Sequence, residues 1–179
     1  MTDKYAELID DSTVRFERIL PGSVELVWQY LVESVKRAKW LCAGDTELNV
    51  GGLAKMHFNN ASLSTAADIE PPEKYSDMPD ELLFSGHVTQ CDPPRLLAHT
   101  WDFEEDHSEV CYQLEQVGDM TRLILTHQSL SSADEIISVC GGWHTHLAVL
   151  DAVLRDEEPP PFWKIHTPLE AEYKQRFGL

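Results

Sequence analysis

Residues 120–154 read MTRLILTHQSLSSADEIISVCGGWHTHLAVLDAVL, and within them the spacing of apolar residues changes once. In the first part Leu123, Leu125 and His127 share one face of an alternating segment, which predicts a strand over 120–128. Ser132 and Glu135 then stand at capping-box spacing, where a serine oxygen accepts the N–H three residues on. After that cap Ile136, Cys140, Trp143, Leu147, Leu150 and Leu154 recur at steps of three and four. Such spacing predicts a helix over 133–156, roughly 35 Å long and able to cross a whole sheet. Gly141-Gly142 inside it costs ~1 kcal/mol per residue relative to alanine, which is reasonable where another chain segment packs closely.

Working back from this stretch, three more alternating segments precede it, at 82–91, 95–103 and 108–116. Asp92-Pro93-Pro94, an acidic run at 104–107 and Gly118-Asp119 separate them. Alternation groups Leu97, His99 and Trp101 on one face, and Val110, Tyr112 and Leu114 on another. Links this short imply an antiparallel meander with one buried face. Further upstream, 13–20 reads as a strand with Val14 and Phe16 on one side. Ser23 can cap a helix whose stripe is Val24, Val27, Trp28, Leu31 and Val35. A weaker helical turn carries Ala38 and Trp40, and Gly51-Gly52 suggests a hairpin joining 46–50 to 53–58. Sheet, small helices and one long late helix make an α+β domain.

Two segments fall outside that plan. Residues 59–80 lack periodicity, contain Pro71, Pro72 and Pro79, and hold five acids against one lysine. Connections usually run ~4–6 residues, so one this long is either a functional lid or a mobile insertion. The extension 157–179 carries Pro159-Pro160-Pro161 and continues with Phe162, Trp163, Ile165, Leu169, Tyr173 and Phe177. An end so aromatic is expected to pack on the domain or on a dimer partner.

The whole chain has 179 residues, 42% of them apolar, and a formal net charge of −17. An excess of acids repels nucleic-acid phosphates and anionic bilayers alike, so neither is expected as a partner. No uninterrupted apolar run approaches the ~20 residues of a membrane span, and the first residues do not read as a signal peptide, so cytoplasmic residence is expected. The cysteines at 42, 91, 111 and 140 form no close pair and read as small buried hydrophobes. His144 and His146 diverge on a helix, and Cys140 with His144 supplies only two ligands, so no metal or other cofactor is expected. No phosphate-cradling glycine loop or serine–histidine–aspartate spacing is present in the sequence.

Taken together, several motifs resemble the activator of heat-shock-90 ATPase homologue family of the START/Bet v 1-like superfamily. They are Pro21-x6-Trp28, Trp40, Gly51-Gly52, Gly86-x-Val88, Asp92-Pro93-Pro94-Arg95-Leu96 and Thr100-Trp101. Thr121-x-Leu123-x-Leu125-x-His127 and Gly142-Trp143-x3-Leu147-x2-Leu150 complete the set. The resemblance implies a helix-grip fold over residues 12–156, a curved antiparallel sheet wrapped around the long helix. It also implies a hydrophobic molecule held between the two, with 59–80 as a long insertion.

From this pattern the expected ligand-binding set is Phe58, Phe84, His99, Trp101, Tyr112, Leu125, His127, Trp143 and Leu147. These residues either line a cavity or simply fill the core; three polar tips on an apolar face call for hydrogen-bond partners. The expected function is binding of a small hydrophobic molecule without catalysis. Alternatives are a cyclase- or hydrolase-like enzyme using His99, Tyr112 or His127, and a chaperone- or stress-linked interaction module. A homodimer is the expected assembly.

Overall fold

A computed structural model describes residues 4–63, 65, 67–76, 79, 81–103 and 106–179, without the side chains of residues 102, 103, 106 and 107. Seven strands form one antiparallel sheet: β1 (Glu7–Asp10), β2 (Thr13–Pro21), β3 (Leu53–Phe58), β4 (Leu82–Asp92), β5 (Leu96–Phe103), β6 (Asp106–Val117) and β7 (Met120–Gln128). Their spatial order is β1-β2-β7-β6-β5-β4-β3, so β4 to β7 run as a meander and β2 closes against β7. Helices α1 (Val24–Val32) and α2 (Ser34–Arg37) follow β2, and α3 (Glu73–Ser76) lies in the long connection between β3 and β4. Two helices end the chain, α4 (Ala133–Leu154) and α5 (Phe162–Phe177). The long helix α4 against a curved antiparallel sheet is the helix-grip arrangement.

Alternation decides what each strand buries. On β7 the inward residues are Thr121, Leu123, Leu125 and His127, and on β6 they are Ser108, Val110, Tyr112 and Leu114. Register places Tyr112 opposite Leu125 and Val110 opposite His127, and on the other side of β6 it places Leu97 opposite Tyr112. The inner face is therefore a grid of interlocked apolar and aromatic groups. Against it α4 presents Ile136, Cys140, Trp143, Leu147 and Leu150, all buried. Burial of each large side chain contributes about 1.5–3 kcal/mol.

Because α5 covers a second side of α4, that helix also buries Ile137, Gly141, Thr145, His146 and Val149. By length and apolarity α4 alone among the described helices could cross a bilayer, yet 67% of its most apolar window is buried inside the fold. It is the core helix of this domain.

Several expectations need correction. The strip 46–50 forms no strand; only isolated bridges, Ala43 to His57 and Thr46 to Ala54, run beside β3. A buried guanidinium organises that region instead, with Arg37 donating to the carbonyls of Cys42, Ala43, Gly44 and Lys55 and to Thr46 Oγ1. Val35 is 78% exposed, because the first helix stops at Val32 and α2 sets off in a new direction. Ser132 Oγ does accept from the Glu135 N–H at 3.2 Å, but the Glu135 carboxylate reaches back to Ser131, not to Ser132. Strand β1 was not readable, since its burial barely alternates. The acids Glu104 and Glu105, placed in a turn from sequence, lie outside the described residues.

Candidate functional site

A cavity of about 650 Å3 opens at the β3–β5 end of the sheet. Phe58 from β3, Leu82 and Phe84 from β4 and Trp101 from β5 form its sheet wall. Ser138, Val139, Gly142 and His146 line it from α4, and Phe162, Trp163 and His166 from α5. The remaining wall comes from described residues of the long connection, among them Asn60, Thr65, Asp68, Ile69, Glu70 and Tyr75. Aromatic contacts hold the sheet wall: Phe58 stacks on Phe84 at 5.6 Å, and both meet Trp101 edge-on at 5.7 and 5.3 Å.

Glycine 142 explains part of the opening. A Cβ built there would meet nothing within 4 Å, whereas one at Gly141 would approach His166 Nε2 to 3.3 Å. The pair thus serves two purposes: Gly141 admits α5 close to α4, and Gly142 leaves the cavity wall bare.

Of the residues expected at the site, Phe58, Phe84 and Trp101 line this cavity. His99, Tyr112, Leu125, His127, Trp143 and Leu147 do not; they fill the core under the middle of the sheet. The three polar tips that suggested a ligand behave differently from one another. His127 is satisfied internally: its Nδ1 accepts from Trp143 Nε1 at 3.0 Å, which leaves Nε2–H to donate to Ser108 Oγ at 2.8 Å. Ser108 Oγ in turn donates to the Trp101 carbonyl at 3.4 Å. Burial, with His99 nearby, pushes the His127 imidazole down to about 3, so it stays neutral. His99 donates Nδ1–H to the Thr100 carbonyl at 2.9 Å. Tyr112 stands 5.9 Å from His99 between ring centroids, and burial raises its phenol far above the usual range. A phenol held so firmly protonated is a poor partner for acid–base work on this face.

Sequence reasoning missed the α5 wall and the connection, though both were marked as standing outside the plan. It also set His146 aside as diverging from His144. The structure uses that divergence: His144 Nδ1 meets Tyr173 Oη at 2.9 Å, and His146 donates Nδ1–H to the Trp40 carbonyl at 2.7 Å. Burial pushes the His146 imidazole down to about 4, so its Nε2 keeps a lone pair at neutral pH. Among thiols, burial lifts Cys42 to about 11 and Cys140 to about 12, which keeps both as inert SH groups.

Two polar clamps tie the connection to α5. Asp68 accepts the backbone N–H groups of Trp163 and Lys164, each at 3.0 Å, capping the first turn of α5 from a distant part of the chain. Glu170 accepts from Lys74 Nζ at 3.0 and 3.1 Å and from Tyr75 Oη, which also lies 3.4 Å from Ser138 Oγ. Burial pushes the Glu170 carboxyl up, but Tyr75 and Lys74 more than offset it and hold the group below its usual value.

Residues 21–155 match the family described as activator of Hsp90 ATPase homolog 1-like protein. The chain belongs to that family. Among solved structures it is similar to the protein encoded by gene BPP1335 of Bordetella parapertussis, with 39% identity and a TM-score of 0.81, over 98% of this chain and 91% of that one. CalU16 from Micromonospora echinospora is 21% identical with a TM-score of 0.64, covering 91% and 86% of the two chains. A conserved protein of unknown function from Enterococcus faecalis is 21% identical with a TM-score of 0.67, covering 97% and 89%. No curated protein sequence matches significantly. Members of the family share a ligand-binding type of scaffold, and the first of these likenesses extends past residue 155 to nearly the whole chain.

Proposed function

We propose that this family member binds a small, uncharged hydrophobic molecule in the cavity between β3–β5, α4, α5 and the 59–80 connection. The observation that carries the reading is a space of about 650 Å3 walled by Phe58, Phe84, Trp101, Phe162 and Trp163. Small-molecule sites are of this kind, mostly apolar, a few hundred Å3 in volume, with a small number of placed polar groups. Asp68 and Glu70 on the wall, and a formal charge of −17, disfavour an anionic ligand. The bare Gly142 supports the same view, since alanine there would favour the helix by ~1 kcal/mol.

The test is titration of the protein with 2-ethylnaphthalene, followed by calorimetry, for wild type and Gly142→Phe. A phenyl group at 142 occupies the space that the glycine leaves open. Saturable one-to-one binding by wild type, lost in a folded Gly142→Phe protein, is the expected result. Equal binding by both proteins would place the ligand elsewhere and overturn the reading.

A further inference from the structure

Toward the cavity, α4 presents a bare position and, one turn on, a histidine. Gly142 and His146 stand four residues apart, which puts them on one helix face, and both line the cavity. The His146 ring is held edge-on between two other wall residues, 5.1 Å from Phe162 and 6.2 Å from Phe58 between ring centroids. Its Nδ1 lies 2.7 Å from the Trp40 carbonyl oxygen, which can only accept, so the proton of the neutral ring sits on Nδ1. That leaves an acceptor lone pair on Nε2, which has no hydrogen-bond partner among the described residues. The residue as a whole is only 6% exposed. Other unpartnered polar atoms, His166 Nδ1 among them, are sealed from all contact with open space. His146 Nε2 is not one of these sealed atoms, so it keeps surface open to the cavity that its ring borders.

Resting on the binding function proposed above, we infer that the ligand is an apolar molecule carrying one hydrogen-bond donor, a hydroxyl or N–H group, which His146 Nε2 receives. Helix geometry makes the two positions cooperate. Side chains on a helix lean toward its N-terminus, so the His146 ring leans toward Gly142. A Cβ built at Gly142 would meet nothing within 4 Å, which leaves room for an apolar body beside that ring. A molecule lying over Gly142 thereby brings its donor to Nε2. A pure hydrocarbon would expel water and leave the lone pair unpaired, and a group that only accepts would meet it lone pair to lone pair. The acids on the wall, Asp68 and Glu70, likewise offer acceptors and no donor when ionised. Burial holds the His146 imidazole down at about 4, so the acceptor persists through the neutral range.

The experiment compares three naphthalenes of nearly equal shape: 2-ethylnaphthalene, 2-methoxynaphthalene, which only accepts, and 2-naphthalenemethanol, which donates. Affinities are read by calorimetry on wild type and His146→Asn, whose amide N–H can keep the bond to the Trp40 carbonyl while the Nε2 acceptor is gone. Nitrogen NMR of His146 in the wild type gives a second readout that needs no variant. Burying an unpaired hydroxyl is costly, so the alcohol can match the hydrocarbon only where it finds a partner. Wild type is expected to bind the alcohol at least as tightly as 2-ethylnaphthalene and more tightly than the ether. The Nε2 resonance should move upfield with the alcohol alone. His146→Asn should lose about tenfold in affinity for the alcohol relative to 2-ethylnaphthalene. An Nε2 resonance that stays still while the alcohol saturates the protein, or a folded His146→Asn with the wild-type preference, overturns the donor inference and leaves the apolar binding function standing. The same conclusion follows if wild type binds 2-ethylnaphthalene and not the alcohol. If wild type binds none of the three, both are overturned.

Discussion

At the scale of single residues, a few buried polar groups fix segments whose apolar pattern is weak. Arg37 is 3% exposed, and its guanidinium donates to four backbone carbonyls and one hydroxyl. That arrangement shapes the irregular strip 42–46 without a strand. Replacing it with methionine keeps the volume but strands the acceptors, so Arg37→Met is expected to lower stability by about 3 kcal/mol in urea unfolding. A loss under ~1 kcal/mol would show that water satisfies the carbonyls equally well. The chain from Trp143 through His127 and Ser108 to the Trp101 carbonyl makes the same point about function. A histidine among aromatics resembled a ligand contact, yet its partners are all internal. Ser108→Ala should cost about 1–3 kcal/mol of stability and leave the affinity for 2-ethylnaphthalene unchanged, because it orphans His127 Nε2–H away from the cavity.

At the scale of elements, α5 and the connection after β3 act as one unit. Phe162, His166, Leu169 and Tyr173 are the buried residues of α5, and Asp68 and Glu170 fasten the connection to it. Asp68→Ala removes two acceptor contacts from the first turn of α5 and should raise amide exchange of residues 163 and 164 while costing about 1 kcal/mol globally. Unchanged exchange there would mean that the first turn is held by packing alone. These elements also mark how far the sequence could be read. The alternation in β5 to β7 and the three–four spacing of α4 are strong local patterns, and they are where sequence and structure agree. The cavity walls on α5 and the connection have weak periodicity, since their side chains answer to contacts about a hundred residues away. Tyr75 to Glu170 and Asp68 to Trp163 are examples. Local spacing therefore placed the ligand set under mid-sheet, where Tyr112, Trp143 and Leu147 in fact close the space. Phe58, Phe84 and Trp101 line the cavity because strand alternation aims them inward.

At the scale of the whole molecule, buried neutral histidines make the fold sensitive to acid. His127 and His146 titrate near 6.5 when unfolded, and burial depresses them to about 3 and about 4 in the fold. Between those values the unfolded chain binds more protons, so stability is complete above the unfolded value and falls as pH drops through the window. Each contributes about 1.4 kcal/mol per pH unit, so going from about pH 7.5 to about pH 5.5 should cost about 2–3 kcal/mol in urea unfolding. A flat profile would mean that these imidazoles are solvated in the fold. The net charge of −17 sets what the surface repels, while the apolar cavity at the β3–β5 end is where binding is expected. The most direct measurement of that claim is amide and side-chain NMR during titration with 2-ethylnaphthalene. Saturable shifts should appear at Phe58, Phe84, Trp101, Gly142 and Phe162, with little change at Leu123, Leu125 and Leu147. Absence of saturable shifts, or shifts centred on β6 and β7, would contradict the account.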